Sequence, residues 1–234
     1  MENIMTLPTL TVPKYRIKVP SSGEMISYRP FLVKEEKILL IALEGQEYNA
    51  ISNAMKHIVD ECTYNKLDID NIPSFDVSYL FINIRAKSVG ETSEPLIKCS
   101  KCDFQNTVEV DLTKLKVKFD KKHTNKISLG NDIGIVMKYP TLKSDDKNET
   151  VELGINMISE CVELIYNGDT IHKANEYTTE ELATFIEGLT HKQFELILHF
   201  FDTMPKLSCD IKFKCSNCEH DNKIKLEGLG DFFL

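Results

Sequence analysis

The chain has 234 residues, 42% of them hydrophobic and 27% charged, which is enough for one large domain or two modest ones with a core of their own. No apolar run approaches the roughly 20 residues of a membrane span, and the opening MENIMTLPTLTVPKYRIKVP has no basic region followed by an apolar stretch, so no secretory signal is expected. Net charge is −8 and residues 151–234 carry the whole excess, which weighs against non-specific binding to nucleic acid or anionic membrane.

The first 30 residues contain Pro8, Pro13, Pro20 and Pro30, so they read as an extended N-terminal arm in which only YRIKV alternates like a strand. Residues 31–92 read as a helical unit. FLVKEEKILLIALEG stops at Gly45, a second helix places Ile51, Met55, Ile58, Val59 and Cys62 on one face, and a third carries Val77, Leu80, Phe81 and Ile84 to an end near Gly90. From Leu96 the period changes to two, and TVEVDL, LKVKF and IGIVMKY read as strands, with LGNDIG as a turn. KSDDKNET, from Lys143 to Thr150, reads as a linker. Helical spacing returns with Ile155, Ile158, Val162 and Ile165 up to Asn167-Gly168, and capping-box patterns open helices at Thr178 and Thr190. SCDIKFKC and NKIKLEG are again strand-like.

Helices, strands, helices and strands in that order imply an α+β fold. The expected divisions are an arm over 1–30, a helical unit over 31–92, a β region over 93–142 and 206–234, and an inserted acidic helical lobe over 143–205.

One short phrase occurs twice. IKCSKCDFQNTVEVDL begins at Ile97 and FKCSNCEHDNKIKLEG begins at Phe213. Shifted by 116 positions, Lys98-Cys99-Ser100 matches Lys214-Cys215-Ser216, Cys102 matches Cys218, Asn106 matches Asn222, and Val108 and Val110 match Ile224 and Leu226. Each copy is an alternating strand, a Cys-x-x-Cys turn and another alternating strand, which is the form of a zinc knuckle on a β-hairpin. Two such hairpins supply Cys99, Cys102, Cys215 and Cys218, the closed four-thiolate set of a structural Zn²⁺ in a zinc-ribbon-like arrangement. The long spacing between the pairs is tolerable, because loop closure costs only about 0.6 kcal/mol per doubling of length.

A thioredoxin-like redox pair expects one Cys-x-x-Cys opening a helix in a βαβ setting, whereas these pairs sit between strands. Disulfides are not expected in a reducing cytoplasm. His220, just beyond Cys218, and Cys209, in the strand before the second pair, remain open as replacement ligands. Cys62 and Cys161 fall on apolar helical faces and read as small buried hydrophobes. His57, His172, His191 and His199 show no ligand spacing, His123 lies in a basic turn, and the chain has no G-x-S-x-G, H-E-x-x-H, P-loop or G-x-G-x-x-G. The basic run KLKVKFDKKHTNK, from Lys114 to Lys126, has Phe119 as its only aromatic and reads as a solvated strand and turn. No enzyme is expected.

LPTLTVPKYRIKVPSSGEMISYRPFLVKEEKILLIALEG, FDVSYLFINIRAKSVGE, the two cysteine pairs and the closing LEGLGDFFL together resemble the baseplate hub family of T4-like contractile-tailed bacteriophages. The resemblance spans nearly the whole chain and is most specific at YRPFLVKEEKILL, RAKSVGE and GLGDFF. It implies a virion or tail-assembly protein without catalytic activity, oligomeric within its assembly. Such a protein acts with other phage tail and baseplate hub proteins, in the tail baseplate or in the host cytoplasm during assembly. A zinc-ribbon nucleic-acid-binding protein is the alternative, for which Lys98, Lys101, Lys212 and Lys214 are the contact candidates. The Pro-rich arm is expected to contact a partner, and Phe232, Phe233 and Leu234 beyond Gly228 and Gly230 are a second, weaker contact.

Overall fold

Proline at 13 and 20 confines the start of the chain to extended backbone, and the glycine at 23 supplies the positive φ (+72°) that turns it back. The result, in a computed structural model that describes residues 10–45, 47–142 and 151–228, is an antiparallel hairpin of β1 (Tyr15–Lys18) and β2 (Met25–Tyr28). The hairpin is not a free arm: Ile17, Val19, Ile26 and Tyr28 are buried in the first core. Its loop is tied to the third of the helices that follow by the Ser21 N–H and hydroxyl, both of which donate to the buried Asp76 carboxylate. Residues 1–9 of the expected arm, the expected linker 143–150 and the tail GLGDFF beyond Gly228 lie outside the described residues.

Three helices follow as the spacing predicts: α1 (Val33–Gly45), α2 (Tyr48–Cys62) and α3 (Ser74–Ser88). α1 packs on α2, and α2 on α3. The entry to α1 is held by the Arg29–Glu35 pair (Nη2–Oε1 2.9 Å), with the Leu32 N–H donating to Glu35 Oε2 at 2.7 Å. Burial pushes the Glu35 carboxyl up, but the Arg29 guanidinium, the Leu32 N–H and Lys34 outweigh it and hold it at about 2.

α3 is the spine. Val77, Leu80, Phe81 and Ile84 face the first core, while Ile82 and Ala86 face a second core with Ile97, Val108, Val110, Leu112, Leu207, Ile211 and Leu226. A helix with apolar residues on more than one side is buried on more than one side, and α3 is wedged between two cores.

The second core lies under small antiparallel sheets. β3 (Thr92–Ser93) pairs with β6 (Val110–Asp111), and β4 (Leu96–Lys98) with β5 (Gln105–Thr107). TVEVDL, expected as one strand, is therefore split. β5 folds back on β4 across the first cysteine turn, and β6 pairs with a different strand. The third sheet has the order β13-β12-β7, from β7 (Lys116–Lys118), β12 (Lys206–Lys214) and β13 (Asp221–Glu227).

The remaining part carries a third core. β8 (Lys126–Gly130) and β9 (Ile133–Met137) pair with β10 (Val162–Asn167) and β11 (Thr170–Lys173) in the order β11-β10-β9-β8. α4 (Val151–Glu160), α5 (Thr179–Glu187) and α6 (His191–Thr203) complete it, with Ile135, Met137, Ile158, Val162, Leu182, Ile186, Ile197 and Phe200 buried together.

Both capping boxes form. The Glu181 N–H donates to Thr178 Oγ1 (3.2 Å) and the Thr178 N–H to Glu181 Oε2 (2.8 Å), while the Thr190 N–H donates to Gln193 Oε1 (2.9 Å). Val162 and Ile165, expected to continue a helix, lie in strand β10. The run VELIYN is β-branched and aromatic, and hydrogen bonding to β9 overrides the helical spacing. β9 also needs its glycine: a Cβ at Gly134 would collide with the ring of Tyr166, directly opposite, and with the Ile127 carbonyl.

Candidate metal centre

Each Cys-x-x-Cys turn is closed in the same way by its own backbone. In the first, the Cys99 N–H donates to the Phe104 carbonyl (2.9 Å) and the Asp103 N–H to the Cys99 carbonyl (3.0 Å). In the second, the Cys215 N–H donates to the His220 carbonyl (2.9 Å) and the Glu219 N–H to the Cys215 carbonyl (3.0 Å). The residue after the second cysteine has a left-handed backbone in both copies, with φ +56° at Asp103 and at Glu219. The repeat in the sequence is therefore a repeat of conformation, down to its one unusual residue.

The two turns meet head to head. Cys99, Cys102, Cys215 and Cys218 bring their sulfurs within 4.8 Å of one another, and the Cys99–Cys218 and Cys102–Cys215 separations are both 3.7 Å. A tetrahedral ion with Zn–S bonds of about 2.3 Å implies sulfur–sulfur edges of about 3.8 Å, so the spacing fits a four-thiolate ion. It is also too long for a disulfide, whose sulfurs lie about 2 Å apart. Neither His220 nor Cys209 belongs to the cluster; His220 contributes its carbonyl to the turn, and Cys209 lies half-buried along β12. Cys62 and Cys161 are buried away from it, in the first and third cores.

The surroundings shift Cys99, Cys215 and Cys218 in different directions. Burial pushes Cys99 up, but the Lys101 and Cys102 N–H groups, the Asn222 amide and Cys218 bring it down to about 6. Cys215 is lowered too, with burial outweighed by the Cys218 and Asn217 N–H groups, the Asn106 amide and Cys102. Cys218 is lowered by the His220 N–H but pushed up to about 12 by Cys102, burial, Cys99 and Cys215. Clustered thiols resist losing all their protons together, and a bound cation removes that resistance.

Two asparagines lock the halves to each other. Asn222 Oδ1 accepts from the N–H (3.0 Å) and hydroxyl (2.9 Å) of Ser100, while its amide donates to Cys99 Sγ at 3.5 Å. In the mirror arrangement, Asn106 Oδ1 accepts from the N–H (2.9 Å) and hydroxyl (3.0 Å) of Ser216, and its amide donates to Cys215 Sγ at 3.7 Å. Both asparagines are buried. Each turn thus has its outer shell supplied by the other hairpin. In the sequence the two asparagines are matched positions without a role. The usable signal is that both copies pair an Asn seven residues after the first cysteine with a Ser directly after it.

The four sulfurs, with the Asn106 and Asn222 amides donating to Cys215 and Cys99, are grouped as one four-ligand set. The remaining histidines do not join it. His123 stacks on Tyr139 and Phe200, and His172 Nδ1 lies 2.7 Å from the Tyr177 hydroxyl. Among the described residues no helix is long and apolar enough to cross a membrane.

Comparison with known proteins gives the cluster its setting. The family model described as T4 bacteriophage base plate protein matches residues 12–234. The chain belongs to that family and is a structural component of a phage baseplate, at the tail of the virion. No curated protein and no solved structure matches it.

Proposed function

We propose that the chain is a hub component or hub-assembly factor of a contractile-tail baseplate, acting by protein–protein contact and held in shape by one structural Zn²⁺ on Cys99, Cys102, Cys215 and Cys218. The observation that carries the zinc reading is the cross-braced four-sulfur cluster, whose spacing matches the ion. The hub reading is supported by the resemblance in YRPFLVKEEKILL, RAKSVGE and GLGDFF together with the family match over residues 12–234.

Such a protein catalyses nothing; its work is to present fixed surfaces to neighbouring tail proteins. Zinc joins residues far apart in sequence, and its binding can contribute on the order of 10 kcal/mol to folding. Removing the gene from the phage tests the role. Tails should stall before a complete hub forms, and mass spectrometry of purified wild-type virions and assembly intermediates should find the chain with hub proteins. Normal baseplates without it would refute the reading.

One observation favours a nucleic-acid alternative. The solvent face of the β13-β12-β7 sheet carries Lys116, Lys118, Lys206, Lys212, Lys214, Lys223 and Lys225, more than the four contact candidates read from sequence. Lys118 is paired with Asp210, Lys214 with Glu219 and Lys225 with Glu227, which reduces the field. Salt-dependent binding of a labelled oligonucleotide at physiological ionic strength would support it.

A further inference from the structure

The helix α1 buries little of its own apolar surface. Among its side chains Glu35 and Ala42 are buried, and Leu39 packs partly buried on the first core. Six large hydrophobic residues between 32 and 43 remain exposed: Leu32, Val33, Ile38, Leu40, Ile41 and Leu43. Eighteen such residues are exposed among those described; five of them lie on this one helix and Leu32 directly precedes it. Val33 is 80% exposed, Ile41 59% and Leu40 54%. At 100° per residue, Val33, Lys37, Leu40 and Glu44 project from the side of α1 opposite Ala42, with Ile41 on the flank of that face. A lone exposed leucine is ordinary, but several large apolar side chains exposed on one helix mark an interface.

The charges on that face select its occupant. Lys37 and Glu44 lie one on each side of Leu40 and Ile41, at equal distances from the midpoint between them. If a second α1 lies antiparallel on the first with that midpoint on the two-fold axis, Leu40 of one copy meets Ile41 of the other. Lys37 of each copy then meets Glu44 of the other, so one patch complements itself, as an isologous interface requires. A parallel copy would instead set Lys37 against Lys37 and Glu44 against Glu44. We infer that the outward face of α1 is a self-association surface, which pairs two copies of this chain antiparallel through Leu40 and Ile41 with reciprocal Lys37–Glu44 contacts.

The helix is 13 residues long, about 20 Å. One helix pair of that length makes a small interface, so the dimer dissociates on dilution and forms at the high local concentration of an assembly. The inference does not depend on zinc or on the hub assignment.

Sedimentation velocity of the full-length, metal-loaded protein over a wide concentration range tests it. The wild type should show a monomer–dimer equilibrium. Lys37→Glu and Glu44→Lys should each weaken it by about tenfold or more. Mixing those two variants should restore the dimer, because each then carries the charges the other lacks. Ile41→Asp should be monomeric with an unchanged circular dichroism spectrum. A wild type that stays monomeric throughout, or a dimer indifferent to these substitutions, would overturn the inference, as would failure of the mixture to associate.

Discussion

Two junctions hold distant parts of this chain together, and they do it with opposite chemistry. One is the cysteine clamp, which joins β4-β5 to β12-β13 through four sulfurs and a crossed pair of asparagines. The other is an aromatic stack joining α3 to the third core. Phe75 lies edge-on to Tyr139 (5.2 Å between ring centroids), Tyr139 stacks on Phe200 (5.7 Å), and His123 lies on both (5.6 and 5.0 Å). Beside it the Ser74 N–H donates to the Pro140 carbonyl at 2.9 Å. Ring packing needs only apolar area and tolerates small displacements. A four-thiolate ion needs all its ligands at once and fails as a unit. A structural part that must keep one shape gains from having the all-or-none device where its two β regions meet.

Breaking the clamp should have the largest effect. Cys215→Ser leaves three thiolates, and loss of most of a contribution on the order of 10 kcal/mol should unfold the hairpin pair. Calorimetry should then show a large fall in Tm that chelator does not increase, whereas chelator should lower the wild-type Tm steeply. Phe200→Ala at the other junction should cost about 3–5 kcal/mol, by cavity formation, while leaving zinc content unchanged. Asn106→Ala and Asn222→Ala should cost about 1–3 kcal/mol each, because each removes hydrogen bonds to a serine and to a cysteine sulfur of the other hairpin. Their equality would confirm the mirror relation, and zinc should exchange faster in both.

Acid distinguishes the junctions further. Burial lowers the pKa of His123, whose Nε2 has no partner; Asp120 opposes this and His199 adds to it. A histidine held neutral in the fold takes up a proton more readily when unfolded. Its contribution is therefore present above its ordinary value of 6.5 and is lost as pH falls below that. The stability of His123→Phe should be less dependent on pH between that value and the lowered one, as urea midpoints across the range would show. The smallest change belongs to the turns: Asp103→Gly should stay within about 1 kcal/mol of wild type, while Asp103→Val should cost more, because only glycine takes the left-handed backbone freely.

The meeting of the four cysteines was legible in the sequence because paired cysteines are chemically scarce and their two copies repeat the same turn. The helices α2, α3, α5 and α6 were legible from apolar spacing and capping boxes. The aromatic junction was not, since Phe75, His123, Tyr139 and Phe200 sit in unrelated segments and nothing local marks them as neighbours. Strand β10 was missed because Ile155, Ile158, Val162 and Ile165 have helical spacing, yet β9 offered Val162–Asn167 a hydrogen-bonding edge. The crossed asparagines were visible only as matched letters: pairing within each copy says nothing of contact between copies. The exposure of α1 was hidden by its composition, because KILLIAL would suit a core helix equally well.

The central claim is that four thiolates hold one metal ion and that this ion holds the fold. Native mass spectrometry, with elemental analysis of the full-length protein purified without added metal, tests it most directly. One zinc per chain, absent from Cys215→Ser and removed by chelator with concurrent unfolding, is the expected result. A folded, metal-free chain with the same Tm in the presence of chelator would contradict it.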